Sequence, residues 1–110
     1  GLFSNNENLS ENIFQIGEKI DNLVWKMPMD KIYGQNMLSN IADLKNIGSA
    51  AGSSIQAAAF LENFIGKTPW AHLDVAGVVW SDKQSDTHSG GATGWGVRLL
   101  FEIAKNKYRF

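Results

Sequence analysis

Trp70-Ala71-His72-Leu73-Asp74-Val75-Ala76-Gly77-Val78-Val79-Trp80 is the most apolar and most β-prone run in this chain of 110 residues. Aromatic and β-branched residues favour strands, and an apolar run of this kind is typical of a strand that is covered on both faces. We therefore predict a central strand over residues 70–79. Residues 81–91, which are polar and rich in Gly, Ser and Asp, predict a loop that leaves this strand.

Apolar residues at helical spacing predict an amphipathic helix near the start of the chain. Asn8 is placed to cap this helix, and Glu11, three residues later, is placed to complete a capping box. The helix is expected to end before Pro28, because the residue that precedes a proline resists the helical conformation. Its buried face would consist of Leu9, Ile13, Ile16, Ile20 and Leu23.

Between this helix and the central strand we predict a short helix, an extended segment, a loop and a third helix. Asp30 can cap the short helix, residues 39–47 are expected to be extended, and residues 48–54 are small enough for a loop. Residues 55–65 are apolar nearly all round, which is typical of a buried helix. Gly66 follows at the position where a glycine commonly ends a helix.

A last helix is predicted after the loop. Thr93 is placed to cap it. Its buried stripe would consist of Val97, Leu100, Phe101, Ala104 and Tyr108. The alternation of strands and helices predicts an α/β fold in layers, with a largely buried sheet.

The composition argues against several classes of protein. A net charge of −1 gives no broad electrostatic surface for nucleic acid or an acidic membrane, so neither is expected as a partner. The absence of Cys removes disulfides and thiolate metal sites. No apolar run approaches the ~20 residues of a membrane span. No signal peptide is visible either, so we expect a cytoplasmic protein.

Two candidate chemical sites favour structural interpretations. His72 and Asp74 share one face of the predicted strand, as two members of a hydrolytic triad would. No Gly-x-Ser-x-Gly segment accompanies them, so polar groups satisfied by backbone or loop partners are the favoured interpretation. The glycines of residues 90–96 favour a tight helix entry over a phosphate loop, because the expected Lys-Ser/Thr is missing. Neither His has a second ligand three or four residues away, so we predict no metal site here.

Several segments resemble, in order, the leucyl (cytosol) aminopeptidase family. The most specific are Trp70-Ala71-His72-Leu73-Asp74-Val75-Ala76-Gly77 and, at a helix start, Gly91-Ala92-Thr93-Gly94. Gly1-Leu2-Phe3-Ser4-Asn5, Ala42-Asp43-Leu44-Lys45-Asn46-Ile47-Gly48 and Ala57-Ala58-Ala59-Phe60-Leu61 match as well. The resemblance covers essentially the whole chain. It implies the C-terminal part of a mixed β-sheet flanked by helices, within the family's catalytic domain.

The resemblance implies a metal-dependent exopeptidase that removes N-terminal residues, such as Leu, from peptides. It also implies two divalent metal ions, zinc or manganese, and a homohexamer in the cytoplasm. The family's metal ligands and its motif Asn-Thr-Asp-Ala-Glu-Gly-Arg lie upstream of the matching region. Residues 1–110 would therefore lack the metal ligands and the catalytic residues, and the isolated chain is expected to be inactive.

Three pocket positions carry over from the resemblance. Ala76 and Val79 would line the pocket for the side chain of the substrate's N-terminal residue, and Ile47 would line the pocket for the next residue. Members often have Met at the position of Val79, so the resemblance does not fix the size of this pocket.

A non-catalytic interaction or structural module derived from such a domain is the alternative function. The chain opens at Gly1 as though partway through a strand, so we expect a fragment of a longer protein. A reading frame that continues upstream into the metal motif would favour the enzyme, whereas a start codon just before Gly1 would favour the module.

Overall fold

The computed structural model describes residues 1–108, with side chains up to Asn106. Helices and short strands alternate along this part of the chain. The elements are β1 (Leu2–Ser4), α1 (Glu7–Lys19), α2 (Lys31–Gln35), α3 (Ser53–Glu62), β2 (Ala71–Leu73), β3 (Trp80–Ser81), β4 (Gly91–Ala92) and α4 (Val97–Tyr108). No helix among the described residues combines the length and the apolar character needed to cross a membrane.

β1 lies at the centre of a small mixed sheet. It pairs antiparallel with β2, so that Leu2 lies opposite Leu73. On its other side, the Leu2 N–H donates to the Trp25 carbonyl at 2.7 Å, and the Met27 N–H donates to the Leu2 carbonyl at 2.8 Å, in a parallel bridge. One antiparallel and one parallel neighbour make the sheet mixed. The predicted α/β fold, a mixed sheet flanked by helices, is confirmed.

The apolar core lies between this sheet, α1 and α4. It consists of Leu2, Ile13, Ile16, Val24 and Leu99. Successive side chains of a strand point to opposite faces, so Phe3 lies on the other face of β1. There it is fully buried, and its ring is tilted against that of His72 with the centroids 5.9 Å apart. Both faces of β1 are therefore covered.

The long strand predicted over residues 70–79 is wrong, because only Ala71–Leu73 pairs as a strand in this range. The carboxylate of Asp74 accepts a hydrogen bond from the Ala76 N–H at 3.2 Å. An Asp that bonds the backbone two residues on closes a turn. The apolar residues that follow Asp74 therefore form a turn, and β3 begins only at its end. The predicted loop over residues 81–91 joins β3 to β4 in an antiparallel hairpin.

α1 begins earlier and ends sooner than predicted. Asn6 rather than Asn8 is the N-cap, and its side-chain oxygen accepts from the Leu9 N–H at 2.8 Å. Asp21 takes a left-handed conformation, with φ of 55°, and the helix ends at Lys19, about two turns before Pro28. Leu23, predicted on the buried face, is consequently exposed.

The segment between α1 and α3 departs from prediction in its middle part. Asp30 caps α2 as predicted, since its carboxylate accepts from the Ile32 N–H at 3.1 Å. Residues 39–47 are bent rather than extended, because the Ser39 hydroxyl accepts the N–H groups of the second and third residues after it. An antiparallel bridge joins Leu38 to Leu44 across this bend.

The two later helices bury different faces from those predicted. α3 buries Gln56, Ala58 and Ala59, and leaves Leu61 exposed, so it is not covered all round. It ends at Glu62, four residues before Gly66.

α4 turns Leu99 and the half-buried Ile103 towards the core. Of the predicted stripe, Val97, Leu100 and Phe101 are exposed, Ala104 is half-buried, and the side chain of Tyr108 lies outside the described residues. α4 thus has two apolar stripes, and contact with α1 selects the one that contains Leu99.

Replacing Asn6 with Ala is expected to destabilise the first turn of α1 by about 1 kcal/mol, because it removes the acceptor of a helix N-terminal N–H. Amide exchange in the peptide covering residues 7–13, followed by mass spectrometry, should accelerate about fivefold. Asn8→Ala is the matched control, because Asn8 is an exposed residue within the helix. An equal or larger acceleration in Asn8→Ala would contradict the assignment of the cap.

Candidate substrate-binding site

The three residues predicted to line substrate pockets lie on two separate surface segments. Ile47 is 85% exposed and lies beside a cavity of about 340 Å³. Ala76 is exposed and Val79 is 38% exposed, both in the turn that joins β2 to β3. The cavity beside Ile47 is lined by neither of them. The structure therefore brings Ala76 and Val79 together and leaves Ile47 apart, and their roles in binding stay predictions.

The cavity beside Ile47 has a largely apolar wall. Met37, Phe60 and Leu61 contribute to it, together with the backbone of Gly48. Small-molecule sites commonly combine apolar walls with a few placed polar groups. This cavity is therefore suited to an apolar side chain of a ligand.

Gln56 of α3 organises the loop that follows Ile47. It is 4% exposed, and its Oε1 accepts from the Ser49 N–H at 2.8 Å. Its Nε2 donates to the Ser49 hydroxyl at 2.9 Å and to the Ala51 carbonyl at 2.7 Å. The loop passes so close that a Cβ on Gly48 would lie 1.6 Å from the Gln56 Oε1. A buried amide with all these partners holds the loop in one conformation.

The turn that contains Ala76 and Val79 is held at both ends. Inside it, the Val75 carbonyl accepts the N–H of Val78 at 2.9 Å and of Val79 at 3.2 Å. At its far end, the Thr93 hydroxyl donates to the Val78 carbonyl at 2.6 Å, and the Thr93 N–H donates to the Val79 carbonyl at 2.9 Å. Thr93 also accepts from the N–H of Trp95, which lies two residues before α4. The prediction that Thr93 caps α4 is therefore wrong, and Thr93 instead links the turn to the segment before this helix.

Asp74 holds the near end of this turn. One carboxylate oxygen accepts from the Ala76 N–H, and the other accepts from the hydroxyl of Ser54 in the first turn of α3. The Ser54 hydroxyl and the Ala76 N–H stabilise the charged form, so they lower the pKa of Asp74 below its usual value. Asp74 therefore stays ionised and joins the turn to α3.

His72 and Asp74 do not form a catalytic pair. The His72 ring stacks on Trp70 with the centroids 6.1 Å apart. Burial lowers the pKa of His72, although the nearby Asp74 charge opposes this effect. Both oxygens of Asp74 are occupied by Ser54 and Ala76, which agrees with the prediction of a polar group satisfied by loop and backbone partners.

The glycines of residues 90–96 adopt backbone conformations that let the chain change direction sharply. Gly90 and Gly91 have φ of 94° and 86°, a region in which other residues are strained. A Cβ on Gly91 would lie 3.7 Å from the ring of Trp80, which pairs with the neighbouring Ala92 across the hairpin. Gly94 and Gly96, with φ of 66° and 91°, lie directly before α4 and support the predicted tight helix entry.

Among residues 1–108, no three His, Asp or Glu side chains converge in a way that would hold a metal ion.

Ser54 and Gln56 are the two residues of this region that the sequence analysis did not single out. Gln56 carries a readable signal, because it is a polar residue inside the otherwise apolar run of residues 55–61. Ser54 carries none, because a Ser in a small-residue loop before a helix has many ordinary roles. Its partner lies 20 residues away, and only the fold brings the two together.

Comparison with known proteins gives consistent matches along the chain. A probable cytosol aminopeptidase of Cyanothece is 51% identical over 100 residues, which is 91% of this chain and 20% of that protein. One from Xanthobacter autotrophicus is 45% identical over 108 residues, which is 98% of this chain and 22% of that protein. The chain therefore spans about a fifth of the length of the curated relatives it matches.

A solved structure agrees with the sequence matches. A mutant of tomato leucine aminopeptidase superposes with a TM-score of 0.83 and 39% identity, over 93% of this chain and 19% of that one. The model of the cytosol aminopeptidase family, catalytic domain, matches residues 1–101. With the family model matching nearly its whole length, this chain belongs to the cytosol aminopeptidase family.

Proposed function

We propose that this chain is a C-terminal portion of a metal-dependent aminopeptidase that removes N-terminal residues such as Leu from peptides. The observation that carries the proposal is the match of residues 1–101 to the catalytic domain of the cytosol aminopeptidase family. The chain spans 20% of a typical relative, so the rest of the catalytic domain would lie outside it. The intact protein is proposed to be a cytoplasmic homohexamer that acts on peptides.

The two divalent metal ions, zinc or manganese, are proposed to be held outside this chain. The absence of a convergent ligand group among residues 1–108 supports this division of roles. The contribution of this chain would be the walls of the substrate pockets, with Ala76 and Val79 at the N-terminal residue and Ile47 at the next one. Their exposed, apolar side chains suit contact with apolar substrate side chains.

Exposed apolar residues support the proposal that further polypeptide covers this chain. In the described part of the chain, Trp25 is 78% exposed and Phe101 is 62% exposed. Phe101 shares its face of α4 with Val97 and Leu100, which are exposed as well. Monomeric proteins rarely leave large apolar patches uncovered. This surface would pack against the remaining part of the catalytic domain.

The isolated chain of 110 residues is expected to show no hydrolysis of leucine amide, to bind zinc weakly, and to associate in solution. The reasons are that its described residues hold no set of metal ligands, and that the exposed apolar stripe of α4 with Val97, Leu100 and Phe101 has nothing packed on it. Activity assays, calorimetry and light scattering test the three expectations, with the full-length protein prepared in parallel as the control. Turnover by the purified fragment, or a tight stoichiometric zinc site, would overturn the proposal.

Val79→Trp in the full-length aminopeptidase is expected to narrow the pocket for the N-terminal residue, and so to disfavour leucyl more than alanyl substrates. One methylene in such a pocket is worth about 1–3 kcal/mol, so the ratio of kcat/KM for leucyl and alanyl substrates should fall at least about tenfold. Metal content should not change.

Val78→Trp is the matched control, because Val78 lines a cavity with Thr93, Trp95 and Arg98 in which Val79 has no part. It should leave the leucyl-to-alanyl ratio near that of the wild type. An unchanged ratio in Val79→Trp would show that Val79 does not line the pocket.

A further inference from the structure

We propose that α3 positions both substrate pockets through two polar residues of its first two turns, Ser54 acting on the turn of Ala76 and Val79, and Gln56 acting on the loop beside Ile47. This inference rests on the proposed function, because it takes the pocket roles of these segments from there. Ser54 and Gln56 are thus positioning residues, and neither is given a chemical role.

The first connection runs from Ser54 through Asp74 to the turn. The Ser54 hydroxyl donates to one carboxylate oxygen of Asp74, and the other oxygen accepts the Ala76 N–H at 3.2 Å. Hydrogen bonds to an ionised acceptor are stronger than bonds between neutral groups. Without the Ser54 hydroxyl, the Asp74 carboxylate keeps only its bond to the Ala76 N–H, and the start of the turn loses its attachment to α3.

The effect of that loss should be local. Thr93 still holds the far end of the turn through the Val78 and Val79 carbonyls. The turn would therefore stay folded while its Ala76 side moves. A movement of this kind changes the shape of the pocket at the N-terminal residue more than it changes the overall stability.

The second connection runs from Gln56 to the loop after Ile47. Its amide makes three hydrogen bonds, two to Ser49 and one to the Ala51 carbonyl, all between 2.7 and 2.9 Å. It is also packed against Gly48, the residue next to Ile47. The position of Ile47 at the cavity is therefore set from α3 through this amide.

The two connections are separable because Ser54 and Gln56 stand two positions apart on the helix. Residues with this spacing point in different directions and do not face each other. Their hydrogen-bond partners are also different residues, in segments 20 or more positions apart. Substitutions at the two positions should therefore have independent effects on the two pockets.

The experiment measures kcat/KM of the full-length aminopeptidase for leucyl-leucine, alanyl-leucine and leucyl-glycine. The ratio of the first two substrates reports the pocket for the N-terminal residue, and the ratio of the first and third reports the pocket for the next residue. Ser54→Ala is expected to change the first ratio about tenfold, the low end of what one methylene is worth in an apolar pocket, and to leave the second within about twofold. Gln56→Leu is expected to change the second ratio about tenfold and to leave the first within about twofold.

Three further variants make the comparison decisive. Ser54→Thr keeps a hydroxyl and should restore the first ratio. Ser49→Ala removes one hydrogen-bond partner of the Gln56 amide and leaves the buried Gln56 side chain in place. It should shift the second ratio about threefold, and it provides a test even if Gln56→Leu fails to fold. Asp30→Ala is the control, because it removes one side-chain hydrogen bond at the start of α2, away from both pockets, and should leave both ratios unchanged.

A uniform fall of kcat/KM for all three substrates in Ser54→Ala and Ser49→Ala would overturn the inference, because it would show a merely structural role. Val79→Trp and Ile47→Trp, which alter the walls directly, separate this failure from that of the proposed function. If they shift their ratios while the α3 variants do not, only the inference fails. If they shift neither ratio, the proposed pocket assignment fails as well.

Discussion

The three residues of β1 carry the arrangement of the whole chain. Leu2 bonds to the segment after α1 on one side and pairs with β2 on the other, and Leu2 and Phe3 are buried on opposite faces. A strand that has neighbours at both edges and apolar cover on both faces cannot shift its register without exposing one of those side chains. α1 begins directly after it at the Asn6 cap, and the turn that follows β2 leaves from its antiparallel partner.

The predictable part of the fold is the part that depends on local pattern. The periodicity of Ile13 and Ile16 identified α1, and the carboxylate of Asp30 identified the start of α2, because in both cases the interaction lies within one or two helical turns. The error at Asn6 and Asn8 has the same origin. Both are good capping residues two positions apart, and the choice depends on where the chain leaves β1.

The unpredictable part depends on contacts between distant segments. The run from Trp70 to Trp80 is β-prone throughout, but pairing stops at Leu73, where the carboxylate of Asp74 closes a turn and bonds to Ser54. The prediction of the buried face of α4 is wrong because the helix has two apolar stripes. Only the packing of α4 against α1 distinguishes Leu99 from Phe101. The candidate site shares this limit: Ala76, Val79 and Ile47 came from a family resemblance, whereas their supports come from the tertiary structure.

The close approach of Gly48 and Gln56 has a consequence for how this segment can vary. With Gln56 in place, position 48 admits no side chain at all, because the first carbon would overlap the amide oxygen. Shortening Gln56 would make that space available, but it would also leave the N–H of Ser49 and the carbonyl of Ala51 without their partner. Neither position is therefore free to change first. Replacement of Gly48 and Gln56 by another pair of residues therefore requires both substitutions together, or an earlier change in the conformation of the loop.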